Sequence, residues 1–205
     1  MPAGIAQSLK LILETTEGED AHARVLCGRR QKYFISIDRN FGEGEMVPLF
    51  NWQANELTAE QCWHGYLWWG RWVPDLIELL LPDFDETLKR LGEFPEKLRN
   101  LAVSHVAGLA LFRFDNPLVS GWLGKTLLKC LENDLNHFTS EVGRFLGGTD
   151  NAVVVKIWDR WLKEYWQKRL LGTPKPLSGE EATEMVLWTL SLGERFPDSL
   201  SLVHQ

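Results

Sequence analysis

Between Asn151 and Leu171 the apolar positions Val154, Ile157, Trp158, Trp161, Leu162 and Tyr165 recur at i, i+3, i+4, i+7, i+8 and i+11, with Lys156, Asp159, Arg160, Lys163 and Glu164 between them. That spacing follows the turn of a helix and predicts an amphipathic one. Thr149 or Asp150 can cap its start, Gly172 can end it, and Pro174 prevents continuation. Ser178 with Glu181 three residues on forms a capping-box signature for a next helix carrying Met185, Val186 and Trp188, ending near Gly193 or Pro197. Upstream, "EKLRNLAVSHVAGLALF" (96–112) is apolar at Leu98, Leu101, Ala102, Val106, Leu109 and Ala110, and reads as a nearly buried helix with His105 beside the stripe. After Pro117, a segment through Leu146 carries Leu118, Trp122, Leu127, Leu128, Leu131, Leu135 and Phe138, with one break expected near Gly124. The pattern is weakest over residues 1–45. There "YFISID" (33–38) alternates like a strand, but no nearby run offers it a partner, so helix is expected.

Helical segments of about 15 to 20 residues joined by short connections, with no set of strands, predict an all-α fold. The favoured architecture is an irregular HEAT-like array, an α-solenoid, although no strict repeat aligns within the chain. The alternative is an irregular helical bundle. The 205 residues, 44% hydrophobic with ten tryptophans, fit a single helical domain over 1–205 with a substantial core. The chain ends at "PDSLSLVHQ", which looks like the first turns of another helix. A fragment of a longer solenoid, a split gene product and a terminal cap all fit that ending.

Charge and cysteine usage narrow the setting. A net charge of −6 argues against a surface that is a nucleic-acid platform throughout. Cys27, Cys62 and Cys130 are odd in number and far apart, and no signal peptide precedes them, which suits reduced cytoplasmic thiols. No apolar run approaches the roughly 20 residues that a membrane helix needs. Locally, residues 74–96 carry a net charge of −5 and residues 149–171 a net +2, a contrast suited to protein contact or internal helix pairing.

Searches for catalytic chemistry fail one by one. "GWLGKT" (121–126) resembles the end of a phosphate loop, but Val119 stands where the first glycine is required, so a helix break is expected there. "PDFDETLK" (82–89) has the carboxylates and lysine of metal-dependent nucleases without their strands, and Asp83 and Asp85 suit a helix start better. His22, His64, His105, His137 and His204 are scattered, without the spacing of a zinc site. No GxSxG or dinucleotide-binding glycine turn is present. No catalytic residue, metal or cofactor is assigned.

Tryptophan density is the remaining signal. "WHGYLWWGRWVPD" (63–75) places Trp63, Trp68, Trp69 and Trp72 around Arg71. Core packing is the default for tryptophan, yet Trp68 and Trp69 differ by about 100° on a helix, so at least one lies on a second face. A neighbouring repeat can fill that face, and an aromatic platform for a sugar or a base is the sharper alternative.

Three stretches carry a family resemblance: "MVPLFNW" (46–52), "AEQCWHGYLWWGRWVPDLIELLLPDF" (59–84) and "IWDRWLKEYWQKRLLGTPKPLSGEEATEMVLWTLSLGERFPDSLSL" (157–202). Together they resemble an uncharacterised helical region found toward the C-terminal end of large bacterial proteins whose N-terminal part is sirtuin-like. The resemblance covers most of residues 46–202 and rests on an unusual spaced set of Trp, Arg, Gly and Pro. It implies the context of anti-phage defence, in which a sirtuin-like part consumes NAD while the helical part senses, scaffolds or restrains it. It brings no catalytic residues, and these 205 residues contain no sirtuin-like portion to which NAD cleavage could be assigned.

The expected function is therefore a non-enzymatic scaffold or sensor module, cytoplasmic and without a cofactor, that contacts an effector domain or neighbouring repeats and engages neither nucleic acid nor membrane. The alternatives are a free-standing helical adaptor, and a ligand-binding or enzymatic domain with a tryptophan-lined cleft. Among the exposed groups, the contact residues expected are Arg71, Trp72, Trp166 and Arg169, with packing of Trp166 and Arg169 against a neighbouring repeat favoured over a partner interface. On a regular helix Trp166 sits about 120° and Arg169 about 60° from Val154, at the border of the apolar stripe.

Overall fold

A computed structural model of the chain describes residues 3–14, 21–113 and 115–203. Its helices are α1 (Ala3–Glu14), α2 (Ala21–Arg29), α3 (Gln31–Ile37), α4 (Arg39–Phe41), α5 (Glu56–Trp69), α6 (Pro74–Lys89) and α7 (Glu96–Phe112), followed by α8 (Trp122–Lys129), α9 (Glu132–Gly147), α10 (Asn151–Ile157), α11 (Lys163–Leu170), α12 (Gly179–Trp188) and α13 (Phe196–Val203). No strand occurs among the described residues, and the chain is all-α. Helix α3 takes up most of "YFISID", as the want of a partner strand predicts. Contacts gather into two compact units, residues 1–101 and 102–205, with the division inside α7.

In the first unit the main pairing is α2 against α5, elements that are not consecutive. Two glycines permit it. A Cβ at Gly28 would run into the Cys62 carbonyl, and one at Gly65 into the Val25 carbonyl, so any larger residue would force the backbones apart. Asn55 starts α5 by accepting a hydrogen bond from the Thr58 backbone N–H at 3.0 Å. The buried face of α5 then carries Trp63 and Tyr66 into an aromatic cluster with Phe50 and Phe84, at centroid separations of 4.9 Å for Trp63–Phe50 and 5.4 Å for Trp63–Phe84. The Trp63 indole donates to the Phe50 carbonyl at 3.1 Å. A second cluster of Cys27, Phe34, Phe41 and Met46 packs with Leu9 and Leu49.

Helix α6 corrects one expectation. Pro82 does not divide it, and Asp83 and Asp85 stand well inside the helix. Leu76, Leu80, Phe84, Thr87 and Leu88 form one buried stripe, while exposed Pro82 points to the opposite side. An interior proline costs about 3 kcal/mol, and burying four large apolar side chains at about 1.5 to 3 kcal/mol each outweighs it.

The second unit pairs α9 with α12, again not consecutive. Gly143 leaves room for Trp188, whose indole donates to the Thr139 carbonyl at 3.0 Å. The whole predicted stripe, Val154, Ile157, Trp158, Trp161, Leu162 and Tyr165, is buried. Asp150 caps its start by accepting from the Ala152 backbone N–H at 2.9 Å, and Gly172 lies beyond its end with φ 73°. Arg160 leaves the stripe sideways and donates to the carbonyls of Ala110 (3.3 Å), Leu111 (2.6 Å) and Arg113 (2.5 Å), covering the acceptors at the C-terminal end of α7.

Two boundaries differ from expectation. The break before α9 falls at Cys130–Leu131 rather than near Gly124, which lies inside α8. Asp134 accepts from the Leu131 backbone N–H at 2.8 Å, so a carboxylate three residues on marks the new start, whereas Gly124 meets nothing that demands a glycine. Helix α12 stops at Trp188, earlier than Gly193 or Pro197, and passes into short 3-10 turns before α13.

Candidate functional site

The four contact residues expected from sequence separate on burial. Arg71 and Trp72 belong to the first unit, Trp166 and Arg169 to the second. Arg71 is exposed, whereas Trp72 turns inward to pack on Tyr66 and Phe84 at centroid separations of 5.2 and 5.1 Å. Trp166 and Arg169 are buried and not at the surface, which corrects their reading as exposed groups. The cause is a π turn over Trp158–Leu162, where the Lys163 backbone N–H bonds the Trp158 carbonyl five residues back. Each residue of such a turn advances by less than the usual 100°, so later positions fall back toward the apolar stripe.

Arg169 then becomes the centre of a closed polar cluster. It donates to both carboxylate oxygens of Glu181, from Nε at 2.7 Å and from Nη2 at 2.6 Å, and to the Lys175 carbonyl at 2.7 Å. Burial disfavours the guanidinium charge and the Glu181 bonds more than offset this, leaving its pKa raised. Ser178 caps α12 by accepting from the Glu181 N–H at 3.1 Å. Only half of the expected capping box forms, because the Glu181 side chain is turned to Arg169. This cluster ties α11, α12 and the connection between them, with Arg169 and Glu181 fully enclosed.

A second polar group joins Ser104 Oγ and His137 Nε2 at 2.9 Å. Glu141 lies nearby; burial works to raise its carboxyl pKa, but Arg144, at 2.6 and 3.1 Å, together with His137 and Ser104 outweighs that and holds it below the usual range. Ser104, His137 and Glu141 project from helix interiors, where backbone amides belong to the helical ladder and do not converge into an oxyanion hole. The Ser104–His137 bond reads as a helix-to-helix tie. All three cysteines are buried, and burial pushes Cys27 up to about 11 and Cys62 further. Among the described residues no three His, Cys, Asp or Glu side chains gather as a metal set.

What does reach the surface is the end of α5. Trp69 is 49% exposed and carries the Arg29 guanidinium over its ring at 5.0 Å. Trp68, half buried, has the Lys97 ammonium over its ring at 4.4 Å, His64 stacked beside it at 6.3 Å, and Trp69 tilted against it at 5.8 Å. Each of these groups has a local reason to be there. His64 and Trp68 share a face one turn apart, Trp69 faces about 100° away, and the glycine contact brings the end of α2 to α5. Arg71 follows Gly70, where α5 ends. Among the described residues, Arg29, Arg71 and Lys97 form no ion pair, unlike Arg90, which sits over Trp52 and also pairs with Glu56. The doubled tryptophan was legible in the sequence as a second face. Arg29 and Lys97 were not, because each comes from another helix.

Comparisons of the chain with models of known families, with curated proteins and with solved structures found no match.

Proposed function

We propose that the chain is a non-enzymatic helical contact module that binds another protein through the end of α5. The observation that carries this reading is the pair Trp68–Trp69, kept at the surface with a cation over each ring and, among the described residues, no carboxylate answering those cations. Tryptophan and arginine are the side chains that most often dominate protein interfaces, and their cost in water is recovered when a partner covers them. Arg71 is the one residue of the sequence-based contact set that remains in this role. The wider setting, a cytoplasmic scaffold or sensor part of a bacterial anti-phage defence protein acting on an NAD-consuming effector, rests on the residues that carry the resemblance. No helix among the described residues is long and apolar enough to cross a membrane.

The test is photo-crosslinking in cells. A photoreactive residue replaces exposed Leu26, one turn from Arg29 on α2, and in a control replaces exposed Leu190 in the second unit. A discrete protein adduct from position 26, lost when Trp69→Ala is added, is the expected result. An adduct indifferent to Trp69→Ala, or none, refutes the contact reading. Turnover of NAD, nucleotides or nucleic acid by the purified chain, abolished by a point mutation in it, refutes the non-enzymatic one.

A further inference from the structure

We infer that the partner segment recognised at the end of α5 is acidic, a stretch of chain that sets carboxylates against Arg29, Lys97 and Arg71 and an apolar side chain against Trp69. This rests on the reading of that surface as a protein contact and names the chemistry of what binds there. Two cations, from α2 and α7, lie over the two tryptophans, and a third, exposed Arg71, follows Trp69 by two residues; none of the three has an ion pair among the described residues. Exposed Arg30, Lys32, Lys125, Lys129 and Lys156 also stand without an ion pair among the described residues, but none of them lies over an aromatic ring, and the other cations that do, Arg90 and Arg144, are paired. Lys10, Arg39, Lys89, Arg90, Arg113, Arg144, Lys163, Lys168 and Arg195 each have a carboxylate within 4.0 Å. Cations left unmatched in a chain with more acids than bases draw opposite charge from a partner.

The arrangement favours carboxylates over nucleobases. A base needs a bare ring face on which to stack. Here Lys97, His64 and Trp69 already crowd Trp68, and Arg29 lies over Trp69. A cation placed over an indole still offers its N–H donors outward, and the arginine fork can take a carboxylate through two parallel bonds. The exposed remainder of Trp69 is then free to cover an aliphatic neighbour of that carboxylate.

The experiment titrates the full chain with a short peptide alternating glutamate and leucine, with the same peptide carrying glutamine for glutamate, and with single-stranded oligo-dT. The indole N–H resonances of Trp68 and Trp69 report binding. The acidic peptide is expected to shift both and to bind roughly tenfold more weakly to the Arg29→Gln/Lys97→Gln double variant, and more weakly again in high salt. The glutamine peptide is expected to bind no better than to that variant. Equal binding of the acidic and glutamine peptides overturns the proposal, as do equal binding by wild type and variant, or oligo-dT binding more tightly than the acidic peptide. Near-UV circular dichroism establishes that the variant is folded. Should it not be, Arg71→Glu, altering an exposed residue outside any helix, supplies the same comparison. A Trp69-dependent protein adduct from position 26, without binding of the acidic peptide, means that the contact reading stands and the acidic one fails. Loss of the adduct result as well brings down the contact reading itself.

Discussion

Around α11 and α12, Arg169, Trp166 and Trp188 lie wholly inside the second unit, and the guanidinium makes three hydrogen bonds to its own chain. At the end of α5, Arg29, Lys97, Trp68 and Trp69 use the same side-chain chemistry with the cations exposed and no carboxylate paired to them among the described residues. The residue types do not separate a core from a contact surface. What separates them is whether each charged group has been given its partner within the fold: a buried arginine without Glu181 would be untenable, whereas an exposed arginine without one is merely available.

Breaking the internal cluster should have the largest effect. Arg169→Met leaves the Glu181 carboxylate buried and unpaired, and should cost about 3 to 5 kcal/mol in urea unfolding. Adding Glu181→Leu should recover much of that loss, because removing both charges takes away the unpaired one. If the double variant is no more stable than the single, the cluster is not an isolated pair. Trp158→Ala, opening a cavity beside Trp166, should cost about 3 to 5 kcal/mol. Unchanged thermal stability would show that the stripe does not face the core.

How far these two regions were legible differs for a physical reason. Residues 151–171 repeat one periodicity for several turns, so that burial of Trp158, Trp161 and Tyr165 followed from spacing alone. Beyond the π turn that spacing no longer holds, and Trp166 and Arg169 were misplaced on a regular wheel. Single-residue signals fared worse. The helix start expected at Asp83 and the break expected near Gly124 are both absent, since a buried stripe overrides one unfavourable residue such as Pro82. The surface of α5 was half legible. Two adjacent tryptophans cannot share a face, which is local geometry, but Arg29 and Lys97 arrive from α2 and α7, and nothing in the sequence near Trp69 announces them.

The glycine contact that brings α2 to α5 gives a smaller, sharper test. Gly65→Ala forces a methyl group against the Val25 carbonyl, and should cost about 1 to 3 kcal/mol as the helices separate. Because Arg29 ends α2, the same substitution should loosen its hold over Trp69, seen as a change in the Trp69 indole resonance. Gly124→Ala, which meets nothing, should raise stability slightly by helix propensity and leave that resonance alone. A Gly65→Ala protein as stable as wild type would mean that the close approach is not needed to seat Arg29.

The smallest expected effect on stability is also the one that most directly sets surface against core. Trp63 and Trp69 stand on one helix, at 0% and 49% exposure. Trp63→Ala removes the centre of the cluster with Phe50, Tyr66 and Phe84, and should be as damaging as Trp158→Ala. Trp69→Ala removes a half-exposed ring and one surface cation contact, for which a cost below about 1 kcal/mol is expected. The two variants should therefore part company: Trp63→Ala losing fold and contact together, Trp69→Ala keeping its unfolding midpoint while losing the acidic peptide and the crosslink. A large stability loss from Trp69→Ala would identify that ring as structural, leaving Arg29 and Lys97 as props for it rather than as groups held ready for a partner.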